Sequence, residues 1–225
     1  MSVLDKMDTL VTRWGDTDRR SLFAGAYRSM SARMLQAIDA DEFGDPVWVD
    51  QLLTSFADYY FYAVDASGAG PDSCPAVWRV AFDATVDDRI HPLRVLFLGI
   101  NAHINYDLAL CVADVMADWD RLDTEIRDLR RSDYDLVDTI ICRTVDSVQD
   151  TVVGPASPTM VLLDRLLGPI DEWLFASLIT RWRRDTWADG LSLLASTDDR
   201  IEEVRAKIEV EALDTADWIL TVGPD

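Results

Sequence analysis

A chain of 225 residues with 41 acids against 21 bases carries a net charge of −20, a field that repels phosphate backbones and excludes nucleic acid as a partner. The acids are 34 Asp and 7 Glu and the bases 19 Arg and 2 Lys; this is the pattern of an extreme halophile's salt-filled cytoplasm, where molar salt shortens the Debye length to about 3 Å and screens the self-repulsion. With 49% hydrophobic residues the chain can bury a substantial core and fits one all-helical domain over residues 1–225.

Helical spacing starts at once. Val3, Leu4, Met7, Leu10, Val11 and Trp14 share a face that stops at Gly15, and the acids among them, with no basic start, do not read as a secretory signal, so a cytoplasmic protein is expected. After a turn at Asp16 to Asp18, Leu22, Phe23, Tyr27, Met30, Met34 and Ile38 predict a second helix. Asp45-Pro46 reads as N-cap and first turn of a third, Val47 to Asp65, with Leu52, Leu53, Phe56, Tyr60 and Ala63 inward. A glycine-rich break over Ala66 to Ser73 precedes a short helix, Ser73 to Val86, with Val77, Trp78, Ala81 and Phe82 inward.

Pro92 opens a central helix through Met116 that is apolar on every side, as a helix in the middle of a bundle must be. Its length would span a membrane, but Asn101, His103, Asn105 and Asp107 fall within seven positions and argue against a membrane span. Beyond it a charged helix, Trp119 to Arg131, has Leu122, Ile126 and Leu129 as its seam. Asp133 is placed to cap another, Tyr134 to Val153, with Val137, Ile141, Val145, Val148 and Val152 buried. Gly154-Pro155 breaks it, Ser157-Pro158 starts a helix ending at Gly168, Pro169 opens a long one through Trp173, Leu174, Leu178, Trp182 and Leu191, and Thr197 to Leu220 closes the fold. No alternating strand is found, so the expected fold is an all-α bundle of about nine or ten helices around the segment 92–117.

The segments Phe56-Ala57-Asp58-Tyr59-Tyr60, Trp78 with Ala81-Phe82-Asp83, Leu98-Gly99-Ile100-Asn101-Ala102-His103-Ile104-Asn105-Tyr106-Asp107-Leu108, Asp133-Tyr134 with Val137, and Asp171-Glu172 followed by Arg184 and Trp187 resemble the domain-of-unknown-function family 5995. The Asn-Ala-His-Ile-Asn-Tyr-Asp-Leu run is the specific part. Asp138 stands where that family usually reads Asn. The resemblance implies a helical fold and brings no established activity, so function has to be argued from the residues.

At about 100° per residue, Asn101 and Asn105 share one face of the central helix, while His103, Asp107 and Asp114 share a face roughly 160° away. His103, four residues before Asp107, can place a ring nitrogen on its carboxylate, the pairing that a general base needs and that a satisfied core histidine also makes. The leading reading is a small-molecule enzyme or ligand-binding domain with His103 as acid or base and Asp107 as its orienter. Asn101, Asn105, Asp58, Asp138 and Arg184 are the candidates for ligand contacts. Asn101 and Asn105 can equally bond neighbouring helices, and Arg184 can equally pair with an Asp.

The alternative from another class is a non-catalytic structural or interaction module whose polar groups specify packing, with association, including homo-oligomers, through apolar surface on the outer helices. A third reading is a mononuclear metal-dependent hydrolase with one divalent ion on His103 and Asp107 and distant carboxylates such as Asp58 or Asp171. His91 and His103 are too few for a trinuclear zinc centre. Cys74, Cys111 and Cys142 are widely spaced, make no metal-ligand pair and suit a reducing compartment. No P-loop, Gly-x-Gly-x-x-Gly or Gly-x-Ser-x-Gly pattern occurs, so no nucleotide cofactor and no serine hydrolysis are expected.

Overall fold

The computed structural model describes residues 1–70, 73–150 and 172–221, with the side chains of 145–150, 172–175 and 198 outside that description. The described residues are helical with no strand among them: α1 (Val3–Trp14), α2 (Arg20–Asp39), α3 (Pro46–Ala69), α4 (Ala76–Thr85), α5 (Pro92–Val115), α6 (Thr124–Asp150), α7 (Glu172–Leu194) and α8 (Asp198–Thr221). A 3₁₀ turn, Trp119–Arg121, leads into α6.

These are eight helices among the described residues where nine or ten were expected. The expected helices 119–131 and 134–153 are one helix, because Asp133 does not cap. Its carboxylate turns out of α6 and accepts the backbone N–H groups of Gly44 at 2.8 Å and Asp45 at 2.7 Å, so it serves the entrance of α3 instead. The break at Gly154-Pro155 and the helix from Ser157 to Gly168 lie outside the described residues.

The chain divides into two compact units, residues 1–53 with 121–180, and residues 54–120 with 181–225. In the first, a capping box between Ser2 and Asp5 starts α1, and Gly15 at φ 65° ends it. Helix α2 packs on α1 and on α6. Asp45 is the N-cap foreseen for α3: its Oδ1 accepts the Trp48 N–H at 3.1 Å and its Oδ2 the Arg130 Nε–H at 3.2 Å. A side chain at Gly44 would collide with Leu129, so the turn into α3 lies directly on α6.

In the second unit α5 is the centre, packed against α4 and α8. Leu93, Val95, Leu96, Phe97, Leu98, Leu108, Leu110 and Val112 are all buried, each burial contributing about 1.5–3 kcal/mol before the entropy of ordering is set against it. The helix is long and apolar enough to cross a membrane, with a mean hydropathy of 1.4 over its most apolar stretch, and 78% of that stretch is buried inside the protein. Gly190 of α7 lies so close to α5 that a Cβ there would sit 2.7 Å from Val112 Cβ and 3.0 Å from the Ala109 carbonyl oxygen.

Candidate functional site

Helix α5 is not regular. Between α-helical stretches Pro92–Asn101 and Ala109–Val115, the residues Ala102–Leu108 form a π-helical turn, a widened winding that puts one more residue into the turn and recurs at functional sites. Two side-chain bridges span this segment. Asn105 Nδ2 donates to Asn101 Oδ1 at 2.8 Å, and Asn101 Nδ2 donates to the Ala212 carbonyl of α8 at 2.9 Å. On the other side His103 Nδ1 lies 3.0 Å from Asp107 Oδ2.

The His103–Asp107 pair is deep, with the residues 3% and 1% exposed. Phe56 of α3 lies flat on the imidazole, with ring centroids 3.6 Å apart and planes 6° from parallel. Tyr60 meets the imidazole edge-on at 6.0 Å, and the Trp78 ring of α4 lies 6.1 Å away. The Trp78 Nε1–H also donates to Asp107 Oδ2 at 2.9 Å. Burial pushes the Asp107 carboxyl well above its usual range, with the Trp78 hydrogen bond opposing, and pushes the His103 imidazole well down. Desolvation penalises a net charge, so the pair keeps one proton between Nδ1 and Oδ2 and stays neutral overall.

A cavity of about 480 Å³ opens in the second unit beside this pair. Its wall includes Tyr59 and Tyr62 of α3, Cys74 and Arg79 around α4, Tyr106 and Asp107 of α5, and Arg205 and Glu209 of α8. Asp107 is therefore the member of the pair that lines this cavity, and His103 stands behind it. Tyr59 donates its hydroxyl to Asp114 Oδ2 at 2.6 Å, and the Tyr106 hydroxyl is pushed up to about 12 by burial first and then by the charge of Glu209. Glu209 Oε1 accepts the Ala76 backbone N–H at 3.2 Å, at the start of α4.

The other sequence candidates are dispersed. Asp58 is exposed on α3, Arg184 is exposed on α7, and Asp138 is half-buried on α6 in the first unit. Asp171 lies outside the described residues, as does the Glu172 side chain. His91 caps α5, its Nδ1 accepting the Leu93 N–H at 3.3 Å. Cys111 is fully buried and its thiol is pushed far up by burial, which makes it unreactive. Among the described residues no three His, Cys, Asp or Glu side chains converge as metal ligands.

Sequence reasoning missed the cavity residues Arg79, Arg205, Glu209 and Tyr62. The aromatic surroundings of His103 carried a signal, since Phe56, Tyr60 and Trp78 all fell on inward stripes. Arg205 and Glu209 carried none, because an Arg and a Glu one turn apart look like any solvated helix face.

Residues 1–222 match the model of a family described as "Family of unknown function (DUF5995)". No curated protein and no solved structure matches the chain.

Proposed function

We propose, for a chain that belongs to DUF5995 and takes no assigned activity from it, that the second unit binds a small molecule in its cavity and uses Asp107 to exchange a proton with it. The observation that carries this reading is the position of Asp107: this residue lines a cavity of about 480 Å³, and its deeply buried carboxyl is hydrogen-bonded to a buried imidazole. That volume falls within the range of small-molecule sites. Keeping an ionisable pair out of water costs several kcal/mol that apolar residues of the same volume would not. At a cavity wall the same desolvation raises the carboxyl and favours its protonated form, as proton exchange with a ligand requires.

The roles follow from which of the two residues lines the cavity. Asp107 meets the ligand as acid or base, and His103 is a positioning residue that shares its proton from behind, the reverse of the order suggested by the sequence. The Trp78 N–H fixes Oδ2, and the flat stack of Phe56 fixes the imidazole plane. Asn101, held by Asn105, ties α5 to α8. The net charge of −20 supports a working environment of molar salt, in the cytoplasm.

The stack of Phe56 on His103 and the Asn101 bridge to α8 favour a second reading, in which the polar groups only specify packing. One experiment separates the two. The imidazole signals of His103, assigned with a His91→Gln variant, are followed by NMR in concentrated KCl while a library of small molecules is added, with Ser73→Trp at the cavity rim as a blocked control. Compounds that move the His103 signals in the native chain and not in the blocked one support the pocket. A library that leaves His103 unmoved leaves the packing module as the reading.

A further inference from the structure

Resting on the reading of the cavity as a ligand site, we infer that its ligand is a small organic anion, held by its carboxylate or phosphate on Arg205 with Arg79 nearby and its flat body among the tyrosine rings. The charges of the wall lead there. Each of its two acids is already engaged by donors of the protein: Glu209 by the Ala76 N–H, and Asp107 by Trp78 and His103. Arg205 differs from every other base of its helix. Arg200 pairs with Glu203 at 3.8 Å and Lys207 with Glu211 at 3.3 Å, whereas Arg205 has no carboxylate within ion-pair distance among the described residues.

In a chain with twice as many acids as bases, an arginine left without an acid at a cavity wall is a standing donor for an anion. Its planar fork matches a carboxylate or phosphate edge with two parallel hydrogen bonds. Arg79 stands on α4, on the same cavity, and adds a second positive charge. Tyr62 is 60% exposed and Tyr106 lines the cavity beside Asp107, so aromatic faces are on hand for a planar ligand body. A cationic ligand would find no unengaged carboxylate among these wall residues.

The test uses four probes of one shape and different charge, benzoate, phenyl phosphate, benzamide and benzylamine, titrated into the full chain at fixed high ionic strength with the His103 signals as readout. One or both anions are expected to bind most tightly, and Arg205→Gln to weaken them about tenfold, as loss of a charge-assisted pair requires. Arg181→Gln, at an exposed arginine of α7 outside the cavity wall, should change nothing. The tighter of the two anions tells carboxylate from phosphate. Benzamide or benzylamine binding as well as the anions, or an unchanged anion affinity in Arg205→Gln, overturns the anion while leaving the pocket standing. Silence from all four probes overturns both.

Discussion

The indole of Trp78 and the carboxyl of Asp107 meet at 2.9 Å between α4 and α5, and both residues are 1% exposed. Trp can only donate, so this bond orients Oδ2 and leaves the carboxyl a fixed partner for His103. Trp78→Phe removes the donor and part of the packed volume. A loss of about 2–4 kcal/mol is expected from these two costs together, measured by denaturant unfolding in concentrated KCl. A loss under about 1 kcal/mol would mean that Trp78 does not hold the carboxyl.

The buried pair has a signature in pH. Unfolded, Asp107 titrates near 3.8 and His103 near 6.5; folded, burial raises the first and lowers the second. A raised carboxyl contributes stability below 3.8 that is lost as pH rises, and a lowered imidazole contributes stability above 6.5 that is lost as pH falls. Between those values the two slopes cancel. The pair therefore gives a plateau there and a fall on either side, at about 1.4 kcal/mol per pH unit. Asp107→Asn leaves the imidazole alone, so the variant's own profile should lose the alkaline fall and keep the acid fall, which then begins at once below 6.5. An alkaline slope identical in both chains would contradict the shared proton.

Asp133 holds two backbone N–H groups at the start of α3 from inside α6. Asp133→Ala takes the acceptor from both donors, which lie in a part-buried turn, and should cost about 1–2 kcal/mol. Asp133→Asn keeps an acceptor and should recover part of that. Thermal unfolding of both variants against the native chain measures the order, and equal losses would show that packing at this position matters more than the bonds.

Gly190→Ala sets two effects against each other. Alanine gains about 1 kcal/mol of helix propensity over glycine, but its Cβ would lie 2.7 Å from Val112 Cβ, a buried atom on the core helix with nowhere to go. Overpacking costs about 1–3 kcal/mol and should win. A more stable variant would show that α7 can slide away from α5.

The charge of −20 predicts a steep salt requirement. Far-UV circular dichroism should show helix lost in dilute buffer and restored by molar KCl, because only then is the self-repulsion screened within a few ångströms, at about 3 Å. Full helicity in dilute buffer would separate the acidic composition from stability.

How much of this was legible can be argued from particular residues. Helix α1 could be bounded at both ends because Gly15 marks its stop, and α5 because Pro92 marks its start and its apolar positions cover every face. Asp133 misled because a capping residue and a residue that caps someone else's helix have the same local sequence; its partners are 88 and 89 residues away. The pairing of His103 with Asp107 and that of Asn101 with Asn105 were legible from four-residue spacing. Which of the pair faces a cavity was not, since Arg205 and Glu209 come from a helix nearly a hundred residues on, whose pattern is that of an ordinary charged surface.

The π turn between Ala102 and Leu108 has a consequence for how this helix can change. A segment with one extra residue wound into it phases the two flanking stretches independently. Were the same residues wound as regular α-helix, with none removed, everything beyond would be rotated by about 100°. Val112 would then leave Gly190, and Asp107 would leave Trp78. The polar run thus depends on the rotational phase of the helix that carries it: a regular helix would keep the four-residue pairs and lose their alignment with Trp78 and Ala212.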